Sequence, residues 1–279
     1  MEIGSITKNF KKTINVMKKI KITLVITLII TLFSTSCEKK LNIFSVNDDI
    51  QFGAQFDQEI MSNPDFVILN ETQYRDAYTT INQFMNKLLA TGKVDYANRF
   101  NWTIRIIRDD ATINAFAVPG GYLYFYTGLI KALENEAEFV GVLAHEMAHV
   151  ARRHSTAQLT KAYGVDLMLS MLLGKNSKQW VNIAAQLASG LVDLQFSRND
   201  EFEADKYAVI YTYPTEWDAR GVADFFKKMD SQTQTPVFLS THPSHKDRIT
   251  AVEKEWKALG GKEGEYFEDR YVQFIESLP

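Results

Sequence analysis

Apolar side chains recur at helical spacing along most of the chain, and one segment departs from that pattern. Between residues 70 and 90 their period is close to 3.6, which predicts an amphipathic helix. From Phe100 to Ile107 apolar and polar residues alternate instead, which is typical of a half-buried strand. Two further apolar stretches flank Pro119-Gly120-Gly121 in a hairpin-like pattern. We therefore predict a small antiparallel sheet of about three strands in an otherwise helical chain.

A strongly apolar helix is predicted directly after this sheet. Phe139, Leu143, Met147 and Val150 recur at spacings of four, four and three, which gives the helix one apolar face. We expect this helix to continue through His154. Most of the later segments also have helical character, so the predicted fold class is α+β, mainly α, with the small antiparallel sheet ahead of the apolar helix.

The apolar helix carries the pattern H-E-x-x-H, as His145, Glu146 and His149. The two histidines are one helical turn apart, so their imidazoles project from the same side and can hold one Zn²⁺. Glu146 follows the first ligand directly, where a carboxylate can take a proton from metal-bound water. The alternative is a core helix that happens to carry two histidines. The apolar residues around the two histidines favour the metal site, because a buried helix holds metal ligands in fixed positions.

A second acidic pattern supplies a candidate third ligand. Glu201 and Asp205 share one helix face at a spacing of four, whereas Glu203 points away from that face. Glu201 would complete three protein ligands, and Asp205 would accept the second N–H of a ligand histidine. The alternative is a solvated acidic helix start favoured by the helix dipole. The apolar residues that follow Asp205 indicate burial instead.

The N-terminus predicts an exported protein. Lysines precede an apolar run from Ile22 to Phe33, and small residues lead from there to Cys37, as in a secretory signal peptide over residues 1–36. The end of this segment resembles a bacterial lipoprotein signal, in which Cys37 becomes the lipid-carrying first residue. Met17 opens a more typical signal than Met1, so residues 1–16 would be an extension ahead of the true start. The alternative is an uncleaved N-terminal anchor.

Composition narrows the function further. The chain has 279 residues and one cysteine, which excludes an intramolecular disulfide. Residues 1–36 hold six lysines and one glutamate, so their removal changes the net charge from −3 to −8. No basic block remains, and we expect no nucleic-acid partner. We predict a lipidated tether over residues 37–49 and a zinc metallopeptidase domain over residues 50–279.

Four motifs together resemble the CAAX prenyl endopeptidase type of zinc metallopeptidase, and in particular its secreted bacterial lipoprotein branch without tetratricopeptide repeats. They are Asn114–Gly121 (NAFAVPGG), His145–His149 (HEMAH), Glu201–Asp205 (EFEAD) and Ser240–Pro243 (STHP). The resemblance implies a helical zincin domain of the gluzincin type. Its implied site has zinc on His145, His149 and Glu201, Glu146 as general base, Asp205 behind a ligand, and His242 and Arg248 close to the metal.

The resemblance also implies a function. We expect a zinc-dependent endopeptidase that cleaves misfolded or misassembled envelope proteins from a lipid anchor, at the outer membrane facing the periplasm. The alternative is a chaperone or assembly factor of the outer membrane with a largely latent zinc site.

Three details of the predicted chemistry stay open. His242 or Arg248 would donate to the oxyanion of the tetrahedral intermediate, and the sequence does not choose between them. His242 could instead act as a fourth ligand that switches the enzyme off, or merely cap the next helix. A substrate strand is expected to pair with a sheet edge at Gly121, Tyr122 and Tyr124.

Overall fold

A computed structural model describes residues 42–174, 177–189, 195–230, 235–243 and 246–279. The predicted signal peptide, Cys37 and the first residues of the tether lie outside these ranges. The described chain is mainly helical with one small sheet, which confirms the predicted fold class.

The elements follow one another along the chain with short connections. The strands are β1 (Thr103–Ile107), β2 (Ala115–Val118) and β3 (Tyr122–Tyr126), with a 3₁₀ turn at Pro119–Gly121 between the last two. The helices are α1 (Val46–Ser62), α2 (Arg75–Ala90), α3 (Thr127–Ala132), α4 (Glu136–Ala151), α5 (His154–Tyr163), α6 (Val165–Leu172), α7 (Ser177–Ser189), α8 (Arg198–Thr212), α9 (Gly221–Asp230), α10 (Phe238–Thr241), α11 (Lys246–Ala258) and α12 (Glu268–Glu276).

The sheet is mixed, not antiparallel as predicted. Its strand order is β1-β3-β2, with β2 antiparallel and β1 parallel to β3. The predicted hairpin is present, and Gly120 makes its turn with a φ of 83°, a conformation that glycine adopts without strain. The returning strand β3 inserts between β2 and β1, so it cannot be the edge that was predicted at Gly121, Tyr122 and Tyr124. Alternation of apolar residues predicts strands but not their order.

Helix α4 lies at the centre of the fold, and every one of its sixteen residues is buried. Asn135 caps its N-terminus, where its side chain accepts from the backbone N–H of Glu138 at 2.9 Å. Helix α9 approaches α4 very closely, because a Cβ added to Gly141 would lie only 2.3 Å from the backbone nitrogen of Val222. The single apolar face expected from the sequence is thus an underestimate, since α4 is covered on all sides.

Helix α4 ends at Ala151, earlier than predicted. Arg153 adopts a left-handed conformation with a φ of 61°, and α5 begins at the next residue. The Arg153 guanidinium donates to the Asp49 carboxylate at 2.5 Å and 3.1 Å. Asp49 is itself buried within α1, which starts at Val46 behind a capping box of Ser45 and Asp48. Helical structure packed against the rest of the described chain therefore begins before residue 50.

Helix α6 is apolar but only partly buried. Met168 and Met171 are fully buried, whereas Leu169 and Leu173 are 45% and 68% exposed. Within the described ranges, no helix combines the length and the apolar character that crossing a membrane requires.

Candidate metal centre

Helix α4 presents His145 and His149 side by side. Their Nε2 atoms are 3.0 Å apart, and both side chains are fully buried. The spacing of four residues places the rings one turn apart on the same face, as the sequence predicted. Burial of the whole helix holds the two rings in place, so this pair is a rigid half of a binding site.

Helix α8 adds the carboxylate of Glu201. Ser197 and Asp200 form a capping box at the start of α8, which fixes the first turn against α4. The Glu201 oxygens then lie 3.6 Å from Nε2 of His145 and 3.4 Å from Nε2 of His149. Glu201 is 1% exposed, so the carboxylate faces the two rings and not the solvent.

His242 completes the group from the far end of α10. Its Nδ1 lies 3.3 Å from Nε2 of His145 and 3.1 Å from Oε1 of Glu201. The ring stacks on Phe238 with centroids 4.3 Å apart, which orients it toward the histidine pair. The structure thus brings His242 into the group, although about a hundred residues separate it from His145 in sequence.

The donor set fits a metal ion. One atom from each of His145, His149, Glu201 and His242 lies within 4.8 Å of all the others. Imidazole nitrogens with one carboxylate oxygen are the ligands that Zn²⁺ prefers. Glu146 supplies a second indication, because it is fully buried and neither of its oxygens has a hydrogen-bond partner among the described residues. Its nearest basic group is Nε2 of His242, 3.4 Å from Oε1, so both oxygens are left able to accept a hydrogen bond from a bound water.

A buried ion pair stands behind this group. Arg248 lies 2.6 Å from Oε2 of Glu201 and donates to both oxygens of Asp205, at 2.6 Å and 2.7 Å. Asp205 in turn lies 3.0 Å from Nδ1 of His145. Burial raises the pKa of Glu201 and of Asp205, but the charge of Arg248 and the contacts with the site histidines together outweigh burial, so each pKa lies below its usual value. Both carboxylates are therefore ionised at neutral pH.

The remaining groups of the site have pKa values shifted by the same burial. Burial lowers the pKa of His149 well below its usual value, which keeps that imidazole neutral and free to bind a metal. It raises the pKa of Glu146, against the opposing charges of His242 and His145. For His242, burial lowers the pKa, but the negative charges of Glu201 and Glu146 outweigh it and the pKa is raised.

Access to the group is narrow. Phe196 stacks on the ring of His149 with centroids 3.8 Å apart and covers it from the outside. A cleft of about 300 Å³ reaches Glu201 from the surface beside this ring. The cleft is lined by Lys161, Gln195, Phe196, Ser197, Arg198, Glu201 and Pro243.

Not every residue predicted for the site belongs to this group. Arg248 lies behind Glu201 with its guanidinium held by two carboxylates, a position that supports the ligands. The hydroxyl of Tyr124 donates to Asp57 at 3.0 Å, and that of Tyr122 accepts from Asn101 at 3.0 Å. Both hydroxyls are therefore engaged by residues outside the group of four donors.

His154 lies directly behind one of the two paired histidines. Its side chain is 4% exposed, and its Nδ1 lies only 3.2 Å from Nδ1 of His149. The spacing of five residues would place the two rings apart on a continuous helix. The break at Arg153 brings them together, and no sequence pattern announces that break.

Comparison with known proteins adds an independent line of support. The family model described as Peptidase family M48 matches residues 76–256. The mitochondrial metalloendopeptidase OMA1 of Schizosaccharomyces pombe is 26% identical over 229 residues, covering 79% of this chain and 64% of that protein. A putative beta-barrel assembly-enhancing protease of Vibrio cholerae is 33% identical over 163 residues, covering 53% and 33%. Human OMA1 is 25% identical over 195 residues, covering 63% and 37%. The chain thus spans between a third and two thirds of the length of these relatives.

Proposed function

Because the chain belongs to peptidase family M48, we propose that it is a zinc-dependent endopeptidase acting on misfolded or misassembled proteins of the bacterial cell envelope. The observation that carries this proposal is the buried group of His145, His149 and Glu201, with the Glu146 carboxylate beside it making no hydrogen bond among the described residues. Zincins use such a set of three ligands and one carboxylate to hydrolyse peptide bonds.

In the proposed mechanism, His145, His149 and Glu201 hold the ion. Zinc, when bound, supplies a Lewis acid that acidifies water to a pKa of about 7 and polarises the scissile carbonyl. Glu146 accepts the proton of the attacking water and delivers it to the leaving amine. A raised pKa suits this role, because the carboxylate must both take and return a proton near neutral pH.

Other residues position these groups. Arg248 keeps Glu201 and Asp205 ionised, and Asp205 orients the ring of His145 from behind. His242 is the better candidate for the oxyanion donor, because the guanidinium of Arg248 is already engaged by two carboxylates.

The choice of substrate rests on the relatives and on the N-terminus. Similarity to beta-barrel assembly-enhancing proteases points to envelope proteins as substrates. The signal-like residues 1–36 and Cys37 support attachment by a lipid anchor, which we place at the outer membrane facing the periplasm. The likeness to the lipoprotein branch of CAAX-type peptidases without tetratricopeptide repeats is part of the same proposal.

A second function is favoured by the burial of the site. All four donor residues are at most 1% exposed, and Nδ1 of His242 lies 3.3 Å from Nε2 of His145, close enough to occupy a fourth ligand position. A protein in this state would cleave slowly, so a chaperone or assembly factor with a latent zinc site is the alternative. Turnover of an unfolded protein, with and without a chelator, separates the two functions.

Two substitutions test the proposed mechanism. Glu146→Gln should retain zinc, since amide and carboxylate are similar in size, yet lose hydrolysis of casein by about 10²-fold or more. Glu201→Ala should lose most of the zinc and all activity, because two histidines alone hold the ion poorly. Metal content by atomic emission and casein cleavage are measured on the same samples.

A matched control is Glu216→Gln, a surface glutamate paired with Lys87 outside the donor group. This control should keep both zinc and activity. Near-native cleavage by Glu146→Gln would refute the role of that carboxylate, and absence of zinc from the native protein would refute the metal site.

A further inference from the structure

His149 is backed by a second histidine, His154, on the side of its ring that faces away from the other donors. The left-handed Arg153 turns the chain back on itself, so the ring of His154 meets that of His149 with centroids 5.2 Å apart at 71°. The two Nδ1 atoms are 3.2 Å apart, and His154 is 4% exposed. This contact therefore lies in the interior, where a hydrogen bond fixes ring orientation effectively.

On the side away from His149, His154 contacts the carboxylate of Glu203. Nε2 of His154 lies 3.2 Å from Oε2 of Glu203, and the other Glu203 oxygen accepts from Nε of Arg152 at 2.7 Å. Arg152 also donates to Asp95 at 2.6 Å. Glu203 is thus held between a histidine and an arginine, although the helical spacing of α8 directs it away from Glu201 and Asp205.

Binding of a metal by His149 would allow only one arrangement of protons on His149 and His154. Nε2 of His149 faces the other donors, so it must carry the lone pair, and Nδ1 must then carry the proton of the neutral ring. That N–H can only donate to an unprotonated Nδ1 of His154. The proton of His154 is consequently on Nε2, where it donates to Glu203.

The ring of His145 contacts a carboxylate directly, with no histidine in between. Its Nδ1 lies 3.0 Å from the Asp205 carboxylate, which Arg248 holds. Each ligand histidine thus ends on a carboxylate fixed by an arginine, directly for His145 and through one intervening histidine for His149. Residues behind metal ligands fix the ring and its tautomer, and their loss weakens metal binding about 10–100-fold.

We propose that His154 and Glu203 are positioning residues that hold His149 in the tautomer and orientation needed to bind the metal. The inference rests on the proposed zinc site. The competing explanation is that His154 only fills space beneath α5 and pairs with Glu203 for stability. Under that explanation, loss of the pair changes the unfolding of the protein but not its affinity for metal.

The test measures metal binding in the full chain, separately from proteolysis. His154→Leu replaces the imidazole with an apolar side chain of similar bulk that accepts no hydrogen bond. The zinc affinity of this variant, measured in competition with a chromophoric chelator, should fall about 10–100-fold. His154→Asn should retain more affinity than His154→Leu, because its Oδ1 can still accept from Nδ1 of His149. Glu203→Gln should lose less zinc affinity than His154→Leu.

The control is again Glu216→Gln, whose side chain is 36% exposed compared with 38% for Glu203. It should bind zinc as the native protein does. The Co²⁺-substituted proteins provide a second readout, since the visible absorption of His154→Leu should shift while that of Glu216→Gln should not. Thermal unfolding of the metal-free proteins reports any purely structural loss.

Two outcomes would overturn the inference. Native-like zinc affinity and an unchanged Co²⁺ spectrum in His154→Leu would leave only the space-filling role. Equal losses in His154→Asn and His154→Leu would exclude the hydrogen bond as the cause. If His154→Leu fails to fold, Glu203→Gln and His154→Asn still decide between the explanations. A native protein that binds no zinc would refute the proposed function itself, whereas native binding with unaffected variants would refute this inference alone.

Discussion

His242 shows how one residue at this site can act in opposite directions. Its Nδ1 is among the four clustered donors, while its Nε2 lies 3.4 Å from Oε1 of Glu146. As an oxyanion donor it would accelerate cleavage, and as a fourth ligand it would block the position that water needs. The geometry favours the second role in the resting protein, because Nδ1 is as close to the other donors as they are to one another.

We therefore expect His242→Ala to raise basal cleavage of casein, or self-cleavage, by roughly tenfold. That factor corresponds to removing about 1.4 kcal/mol of stabilisation from the closed state. Initial rates at matched zinc content measure the effect. A fall of about 10²-fold or more with zinc retained would instead assign His242 to the oxyanion. An unchanged rate would leave it as a loop residue that serves neither role.

At the scale of elements, the site depends on how closely α9 approaches α4. Gly141 leaves room for the backbone of Val222, and Gly221 does the same for Ala137, where an added Cβ would lie 1.9 Å from the carbonyl oxygen. Neither glycine can be recognised as a packing residue from helix periodicity, because propensity alone disfavours glycine within a helix. The close contact locks the helix that carries both ligand histidines.

Gly141→Ala tests this contact, because helix propensity and steric crowding would change the free energy of unfolding in opposite directions. Helix propensity alone would stabilise the protein by up to about 1 kcal/mol. The added methyl group must instead force α4 and α9 apart, so we expect a loss of about 1–3 kcal/mol in the free energy of unfolding. Urea titration of the metal-free protein measures it. Lys254→Ala, on the exposed face of α11, is the control and should stay within about 0.5 kcal/mol. A more stable Gly141→Ala would contradict the packing argument.

The whole molecule combines a buried site with an N-terminus that has the pattern of an export signal. Its expected mature charge of −8 gives no electrostatic attraction to anionic lipid, and the described helices include none that would cross a membrane. Attachment through Cys37 belongs to the proposed function, and the first described helix, α1, begins soon after this residue, behind the Ser45 cap.

Cys37→Ala should accordingly leave the protein unprocessed or unanchored. Lipoprotein processing requires the cysteine thiol as the lipid acceptor, and no other cysteine is present in the chain. Fractionation of the native and variant proteins between membrane and soluble extract, with intact mass of each, measures the outcome. Native protein found soluble with residue 38 or a later residue at its N-terminus would refute lipid attachment.

The sequence by itself determined the fold class and two pairs of side chains at the candidate metal centre. The family match confirms the predicted metallopeptidase at the level of the family. His145, His149, Glu201 and Asp205 could be found because helical periodicity fixes which side chains share a face over one turn. Local chemistry also fixed the hairpin at Gly120. These features depend on neighbours within a few residues.

Tertiary structure decided the rest, for reasons that local spacing does not contain. The order β1-β3-β2 placed the expected substrate strand in the middle of the sheet, because strand pairing is a long-range choice. The left-handed Arg153 ended α4 and brought His154 onto His149, since the partners of Arg153 are Asp49 and the carbonyl of Phe44, more than a hundred residues earlier. Arg248 likewise pairs with residues distant in sequence, Glu201 and Asp205. A buried charge is stable only with a partner, and that partner is selected by the packing of distant elements.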